Sequence, residues 1–267
     1  MEFCFESINW SPYFGREGVR AVELVQAASE AGFDWISFDE KLLSAEGSQR
    51  VPVGDIAKAV ADAGLRTLSI HSLGITNDSA TDSDLAKPLL AAASELRAPY
   101  LACGISSPVD SAVLDNVASL GELAGEYDAV LAIEFLPFLP VSSIGQTRDA
   151  IRQCASGRAL IVVDTWHFFL GPDGWDDLAS LKPEEIAYVQ FDDHPKLIST
   201  DLLDETTQRR VLPGAGVFDL ERFVKSMKAI DFHGPVGLEL LSRESREDEP
   251  RRVAEDLMAT GRAYWQG

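Results

Sequence analysis

Short apolar runs alternate with amphipathic stretches along the whole chain. Runs such as FDWISFD, DAVLAIEF and ALIVVD are rich in β-branched and aromatic residues and therefore predict strands. The stretches between them, such as VFDLERFVKSMKAI, repeat apolar residues every three or four positions and predict helices. Eight strand–helix units fit into the 267 residues, which predicts an α/β fold, a (β/α)8 TIM barrel forming one domain over residues 1–267. A doubly wound open sheet is the alternative, although no GxGxxG motif follows the first predicted strand.

One segment does not fit this repeat. Residues 192–216, after the seventh predicted strand, are longer and more charged than a simple connection between two elements. We expect them to be irregular and to form a lid-like loop over one end of the barrel.

The charge of the chain limits its partners. The formal net charge is −20, so the surface repels nucleic-acid phosphates and anionic lipids, and we expect neither a nucleic-acid partner nor a membrane partner. The first residues, MEFCFESINW, carry acids where a secretion signal would carry Lys or Arg. The sequence therefore predicts a soluble, cytoplasmic protein.

The three cysteines, Cys4, Cys103 and Cys154, are scattered and form no CxxC pair. This spacing is typical of buried structural thiols in a reducing compartment. A catalytic cysteine is not expected, because no sequence signature of a nucleophile surrounds any of them.

Four consecutive predicted strands end on an oxygen-bearing side chain. These are Glu134 in VLAIEF, Asp164 in LIVVD, Gln190 in AYVQF and Glu239 in VGLEL. The carboxyl ends of all strands in such a barrel face one mouth, where three carboxylates would repel one another unless a cation lies between them. A single acid at a strand end is usually a helix N-cap, but four corresponding positions favour a metal site. Hard oxygen ligands suit Mg²⁺ or Mn²⁺ better than zinc.

The histidines add candidates for proton transfer. His71 ends the third predicted strand in LSIHS, and His167 follows Asp164 in DTWHFF. Each could be structural alone, but beside a metal both are candidates for substrate binding or acid–base catalysis. His194 is predicted to lie on a surface loop. His233 precedes the eighth strand, at the far end of the barrel, and is predicted to be structural.

Substrate-binding candidates flank the same strand ends. Arg210 in RRVLPGAG could reach over the mouth and hold a substrate oxygen or carboxylate, or it could pair with one of the many acids. Trp10, Trp166 and Phe138 could form an apolar wall that excludes water from a substrate, or they could belong to the core.

Five sequence motifs resemble a known superfamily, the xylose isomerase-like TIM barrels of the sugar phosphate isomerase/epimerase group. In chain order they are AIEFLPF, VVDTWHFF, IAYVQFDD, RRVLPGAG and VGLELL. The resemblance covers nearly the full length. It implies one divalent metal ion, usually Mn²⁺, Mg²⁺ or Co²⁺, held by Glu, Asp, His and Glu on the last four strands. Glu134, Asp164 and Glu239 fill three of these places, and the resemblance also implies that His167, Arg210 and His71 contact substrate.

Gln190 departs from the superfamily pattern. Ketose 3-epimerases and inosose dehydratases typically place histidine there, whereas glutamine is similar to a subset that includes bacterial 3-dehydroshikimate dehydratases. The resemblance thus favours a metal-dependent lyase, a dehydratase of the 3-dehydroshikimate or inosose type. Its substrate would be a polyhydroxylated, cyclic ketone or keto acid, which loses the proton next to its carbonyl through a metal-stabilised enediolate. Glu134, Glu239, His167 and His71 are the candidate acids and bases.

Two other functions remain open. A ketose isomerase or 3-epimerase would use Glu134 and Glu239 to remove and return a proton from opposite sides of the substrate. A metal-free barrel would bind a small polyol or a protein. An apurinic endonuclease is excluded, because that branch is rich in histidine and needs a basic face. This chain has only four histidines and a formal net charge of −20. Barrels of this group often pair, so a homodimer is possible.

Overall fold

The strands of the chain close into a barrel. A computed structural model describes residues 1–14, 19–44, 50–153 and 158–266. In these ranges eight parallel strands are hydrogen-bonded in chain order, and the last pairs with the first, which confirms the predicted (β/α)8 barrel. The strands are β1 Phe3–Glu6, β2 Trp35–Asp39, β3 Arg66–Ile75, β4 Tyr100–Ile105, β5 Val130–Glu134, β6 Ala159–Asp164, β7 Ile186–Phe191 and β8 Val236–Leu238.

Helices surround the barrel and also extend from the ends of several strands. Those in the described ranges are α1 Ala21–Ala31, α2 Glu40–Leu43, α3 Val53–Asp62, α4 Ser79–Leu96, α5 Ser111–Glu126, α6 Ile144–Gln153, α7 Thr165–Leu170, α8 Trp175–Ala179, α9 Leu202–Gln208, α10 Leu220–Ala229 and α11 Pro250–Trp265. None of the described helices has both the length and the apolar character needed to cross a membrane.

The alternation of side chains along β6 explains how the barrel aims polar groups at its mouth. Ile161 and Val163 belong to the main core, which also includes helix residues, whereas Val162 belongs to a separate inner cluster. Successive side chains in a strand face opposite sides, so Asp164 lies on the same inward face as Val162. Because Asp164 is paired with Gln190 on β7, two polar side chains become neighbours across the sheet.

The same two-residue step recurs around the barrel. The inner cluster contains Cys4, Ala132, Val162 and Tyr188, and the residues two positions later are Glu6, Glu134, Asp164 and Gln190. An apolar layer thus fills the barrel below, and a polar layer follows at the mouth, where active sites of this fold are built.

Two predicted elements differ from the structure. β3 extends four residues beyond His71 to Ile75, so this histidine does not end the strand. Residues 192–216 are not irregular, because they contain α9 and an antiparallel bridge between Asp193 and Val211. Charge and length made this segment resemble an open loop, but its acids bind backbone N–H groups within it.

Asp193 organises the second half of this segment. Its carboxylate accepts hydrogen bonds from the N–H groups of Gly214 at 3.0 Å, Gly216 at 2.9 Å and Phe218 at 3.1 Å. A side chain on Gly216 would collide with this carboxylate, so glycine allows the close approach. The PGAG motif therefore wraps around a buried acid.

Replacing Asp193 with Ala is expected to lower the free energy of unfolding by about 2–4 kcal/mol, because four backbone donors, those of His194, Gly214, Gly216 and Phe218, lose a charged acceptor. Urea unfolding would measure the loss. Asp84→Ala is the matched control, since Asp84 lies exposed on α4 beside Lys87 and should change stability by less than about 0.5 kcal/mol. Equal effects of the two substitutions would contradict this role of Asp193.

The cysteines that the structure describes are inert thiols. Cys4 and Cys103 are free and buried, as predicted, and burial raises the pKa of both thiols. Cys154 lies outside the described residues.

Candidate metal centre and active site

Asp164 has two structural roles at the end of β6. Its Oδ1 accepts a hydrogen bond from the backbone N–H of His167 at 3.0 Å and so caps α7. Its Oδ2 lies 2.8 Å from Nη1 of Arg210. Asp164 therefore caps a helix, one of the two roles considered from the sequence, and its second oxygen remains directed at other charged groups of the mouth.

Three carboxylates meet at this point of the mouth. Ligand atoms of Asp164, Asp192 and Glu239 all lie within 4.8 Å of one another, and these three residues are called the carboxylate cluster below. Asp164 also belongs to a second group, with Glu134 and His167, within the same distance. The structure thus brings two of the other predicted ligands, Glu134 and Glu239, within this distance of Asp164.

Asp192 was not predicted from the sequence. It directly follows β7 and is completely buried. The signal that could have found it is the motif QFDD, in which two acids directly follow the strand that carries Gln190.

Gln190 completes the predicted ligand set. Its Nε2 donates a hydrogen bond to Oε1 of Glu239 at 2.8 Å. Its own Oε1 is buried and has no hydrogen-bond partner among the described residues. Leaving a buried carbonyl oxygen without a partner costs about 1–3 kcal/mol, and such an oxygen is a ligand that Mg²⁺ and Mn²⁺ accept. The residues present therefore fit a hard divalent cation.

Arg210 lies against the carboxylate cluster. Nη1 is 2.8 Å from Oδ2 of Asp164 and 2.9 Å from Oε2 of Glu239, and it also pairs with Asp192. The side chain is buried and further donates to Thr206 Oγ1 at 2.8 Å. Arg210 thus pairs with acids, the alternative to substrate binding, but it does so while buried inside the mouth rather than on the surface.

The acid–base properties of the cluster follow from this crowding. Burial, together with the charges of Asp164 and Glu134, raises the pKa of Glu239 to about 8 against the opposing effect of Arg210. Burial likewise raises the pKa of Asp192 well above its ordinary value. For Asp164, burial is outweighed by Arg210 and His167, which lower its pKa. Burial thus opposes the charged forms of Glu239 and Asp192, whereas Arg210 and His167 favour the charged form of Asp164.

His167 and Glu134 form a pair beside the cluster. Nε2 of His167 lies 2.9 Å from Oε1 of Glu134, whose side chain keeps 18% of its surface exposed. The rings of Phe138 and Trp166 pack edge to face on the ring of His167, with centroids 6.2 Å and 5.3 Å from its centroid. Phe138 is partly exposed, whereas Trp166 is buried. The pair is thus accessible from the mouth through Glu134.

His71 lies on another wall of the mouth, with Glu6 and Glu239. Its Nε2 is 3.2 Å from Oε2 of Glu6, and ligand atoms of the three residues lie within 4.8 Å of one another. Burial opposes the charged ring, but the carboxylates of Glu6, Glu239 and Glu134 outweigh it and raise the pKa of His71 to about 9. Glu6 was not predicted, although an acid in the apolar run FCFESI is the same signal that identified the other strand-end acids.

Three other predicted residues lie elsewhere. Trp10 is buried, and its ring packs 5.4 Å from that of Phe5. His194 is fully buried rather than on the surface, because its ring nitrogens face Pro195 O and Glu205. His233 is exposed and, among the described residues, pairs with Asp231, which is equally exposed, so a structural role is not supported for it.

The chain is similar in sequence to two kinds of enzyme. It is 27% identical over 253 residues to a 3-dehydroshikimate dehydratase of Pseudomonas aeruginosa, a match that covers 88% of this chain and 38% of the relative. It is 24% identical over 168 residues to an inosose isomerase of Bacillus licheniformis, covering 61% of this chain and 59% of the relative. The chain thus spans only part of the length of these curated relatives.

Solved structures and a family model agree on the fold. A xylose isomerase domain-containing protein of Salmonella typhimurium superposes with a TM-score of 0.85 at 17% identity, over 98% of this chain and 97% of that one. The IOLI protein, solved with a binding zinc atom, superposes with a TM-score of 0.82 at 17% identity, over 100% of this chain and 98% of that one. The family model described as xylose isomerase-like TIM barrel matches residues 25–263. The chain therefore belongs to the xylose isomerase-like TIM barrel family.

Proposed function

We propose that this chain is a metal-dependent dehydratase that removes the proton next to the carbonyl of a polyhydroxylated, cyclic ketone or keto acid, of the 3-dehydroshikimate or inosose type. The observation that carries the proposal is the convergence of buried carboxylates with the unpartnered amide oxygen of Gln190. The activity named for the Pseudomonas relative, a dehydratase, supports this reaction class, and the activity named for the Bacillus relative, an isomerase, supports the alternative below.

The ion would be held by Glu134, Asp164, Gln190 and Glu239. Their oxygen donors are suited to Mn²⁺ or Mg²⁺, and Co²⁺ is also compatible with them. The chemistry that such an ion supplies is Lewis-acid polarisation of a substrate carbonyl, which lowers the energy of the enediolate. Asp192 is a further carboxylate within reach of Asp164 and Glu239.

Arg210 would have a second partner during the reaction. A cation held by Asp164 and Glu239 competes with the guanidinium for the same oxygens, since like charges repel. Arg210 would then be available to a substrate hydroxyl or carboxylate, for which its planar fork of donors is suited. Residues 192–216 carry this arginine and would act as the lid that excludes water.

Proton transfer would use the two histidines. Because Nε2 of His167 lies 2.9 Å from Oε1 of Glu134, a proton can move between these atoms. His71, on another wall, would protonate a departing hydroxyl or hold a substrate oxygen. Loss of the β-hydroxyl after α-proton removal yields the new double bond of a dehydration.

One observation favours a ketose isomerase or 3-epimerase, and another favours a metal-free binding barrel. Glu134 and Glu239 extend from β5 and from the end of β8 toward one mouth, as a ketose isomerase or 3-epimerase would need. Arg210 alone bridges all three acids of the carboxylate cluster, as a metal-free binding barrel would need.

Proton NMR in D₂O with Mg²⁺ would test the proposal on a panel of inososes, 3-dehydroshikimate and ketoses. We expect the α-proton signal to disappear while an alkene or aromatic signal appears, and EDTA to stop the change. Deuterium incorporation with a new epimer or isomer would instead establish the isomerase alternative. No reaction with any tested divalent metal, together with binding of a polyol, would establish the metal-free barrel.

A further inference from the structure

One arginine near the mouth is buried without an acid bonded to it. Arg246, in the segment that follows β8, is only 4% exposed, and none of its hydrogen-bond partners among the described residues is a carboxylate. Burial, together with the charge of Arg243, lowers the pKa of its guanidinium to about 10. Removing a cation from water without an anionic partner is costly, so the groups that Arg246 binds indicate why it is there.

The guanidinium of Arg246 joins the turn after β1 to the end of α9. Its Nε donates to the backbone oxygen and to Oδ1 of Asn9, each at 3.1 Å. Its Nη1 donates to Oε1 of Gln208, the last residue of α9, at 2.7 Å. Its Nη2 donates to the backbone oxygen of Thr207. An arginine offers a planar fork of N–H donors for such a set of acceptors, and a lysine does not.

The last turn of α9 in turn orients the side chain of Arg210. Nε of Arg210 donates to the backbone oxygen and to Oγ1 of Thr206, both at 3.2 Å, and Nη2 donates to the same Oγ1 at 2.8 Å. Thr206 directly precedes Thr207, whose backbone oxygen accepts from Arg246. Two consecutive residues of one helical turn therefore bind the two guanidinium groups.

Backbone pairing connects Arg210 to the same network. The N–H of Arg210 donates to the backbone oxygen of Leu241 at 3.0 Å, next to an antiparallel bridge formed by Ser242. The N–H of Ser242 donates to Oδ1 of Asn9 at 2.9 Å, and this oxygen also accepts from Nε of Arg246. The backbone and the side chain of Arg210 thus both depend on groups that Arg246 holds together.

We propose that Arg246 is a positioning residue that holds the last turn of α9 against the turn after β1 and thereby keeps Arg210 at the carboxylate cluster. Its hydrogen bonds to described residues include none to a proposed metal ligand, so it acts through α9. Its effect on turnover rests on the proposed function, whereas its effect on the position of Arg210 does not.

Hydrogen exchange at the Arg210 side chain would test the positioning without a substrate. Its Nε–H is buried and hydrogen-bonded, so its NMR signal, assigned by Arg210→Met, should exchange slowly with water in the wild type. In Arg246→Met we expect this exchange to be at least about tenfold faster, because the last turn of α9 loses two hydrogen bonds. Arg246→Lys keeps the cation but not the fork and should show a smaller increase.

Arg252→Met is the matched control for these variants. Arg252 is exposed on α11, and its guanidinium lies 3.3 Å from a carboxylate oxygen of Asp248. The substitution removes the same kind of side chain from a surface position, so the Nε–H of Arg210 should exchange as in the wild type. The backbone N–H of Val163 on β6 should exchange equally slowly in all variants, which reports that the barrel is intact.

A double-mutant cycle would test the role in turnover. Arg246→Met alone is expected to lower kcat/KM by roughly 10- to 100-fold, because Arg210 is displaced, while Arg252→Met should match the wild type. When Arg246→Met is added to Arg210→Met, kcat/KM should fall by less than about threefold, because the residue that Arg246 positions is already absent. Thermal unfolding with Mn²⁺ present would check that each variant is folded.

Two results would overturn the inference. One is wild-type exchange of the Arg210 Nε–H in Arg246→Met, or in Arg246→Lys should the methionine variant not fold. The other is an equal loss of kcat/KM on replacing Arg246 whether Arg210 is present or absent, which would make Arg246 a structural residue only. Should no substrate of the panel react, the proposed function fails, but exchange at Arg210 still decides whether Arg246 holds it in place.

Discussion

Asp164→Asn is expected to weaken Mn²⁺ binding at least about 100-fold and to lower kcat/KM by roughly 1000-fold, which corresponds to about 4 kcal/mol of transition-state stabilisation. Asp164 belongs to two of the three groups of potential ligands that the described residues form at the mouth, one with Asp192 and Glu239 and one with Glu134 and His167. Removing its charge therefore affects both of these groups, whereas Glu239 joins the first of them to Glu6 and His71.

The choice of asparagine separates the chemistry from the fold. Asparagine caps a helix about as well as aspartate does, so Oδ1 can still accept the N–H of His167 and α7 should remain intact. Isothermal calorimetry with Mn²⁺ and the NMR assay would measure binding and turnover, and thermal unfolding would check the fold.

Asp39→Asn is the matched control for this substitution. Asp39 also ends a buried strand, and its Oδ1 accepts the N–H groups of Lys41 at 2.9 Å and Leu42 at 3.1 Å. It lies outside the groups of potential metal ligands identified among the described residues. Wild-type Mn²⁺ affinity in Asp164→Asn, or an equal loss in Asp39→Asn, would contradict a metal centre at Asp164.

Arg210→Met is expected to lower the free energy of unfolding of the metal-free protein by about 3–5 kcal/mol, because the carboxylate cluster loses its buried cation. Added Mn²⁺ should stabilise this variant more than the wild type, since the ion no longer competes with the guanidinium for Asp164 and Glu239. The gain follows from linkage, RT ln(1 + [Mn²⁺]/Kd), and tighter binding gives a larger rise in Tm. Thermal unfolding with and without Mn²⁺ would measure it.

Arg148→Met controls for the loss of an arginine. Arg148 pairs with Glu185 at 3.0 Å on α6, away from the mouth, and this partly exposed pair should contribute about 1 kcal/mol or less. Its response to Mn²⁺ should equal that of the wild type. If Mn²⁺ shifts the Tm of Arg210→Met no more than that of the wild type, the ion and Arg210 do not share ligands, and the metal-free alternative gains support.

The barrel could be predicted because its signals are local. Each strand is a short apolar run and each helix is an amphipathic stretch. Their number and their alternation along the chain were therefore enough to predict a (β/α)8 barrel. The period of two along a strand also explains why an acid such as Asp164 shares a face with Val162. Glu134, Gln190 and Glu239 could be found for the same reason, since they occupy corresponding positions near the ends of consecutive strands.

The positions of Asp192, Glu6 and Arg210 within the site could not be predicted in this way. Asp192 and Glu6 reach the mouth only because the strands close into a barrel with a particular register, and closure brings β1 next to β8. Arg210 is brought to the cluster by α9, a helix within a segment that charge alone made resemble a loop. Burial of His194 likewise depends on Glu205, eleven residues away along the chain.

The sequence by itself determined the kind of fold, the end of the barrel where chemistry is placed and most of the oxygen donors there, because these depend on patterns between near neighbours. Only the tertiary structure decided which acids meet and which cation lies among them. Those properties depend on distances of a few ångströms between residues far apart in the chain, and the hydrophobic pattern that selects the barrel does not encode them.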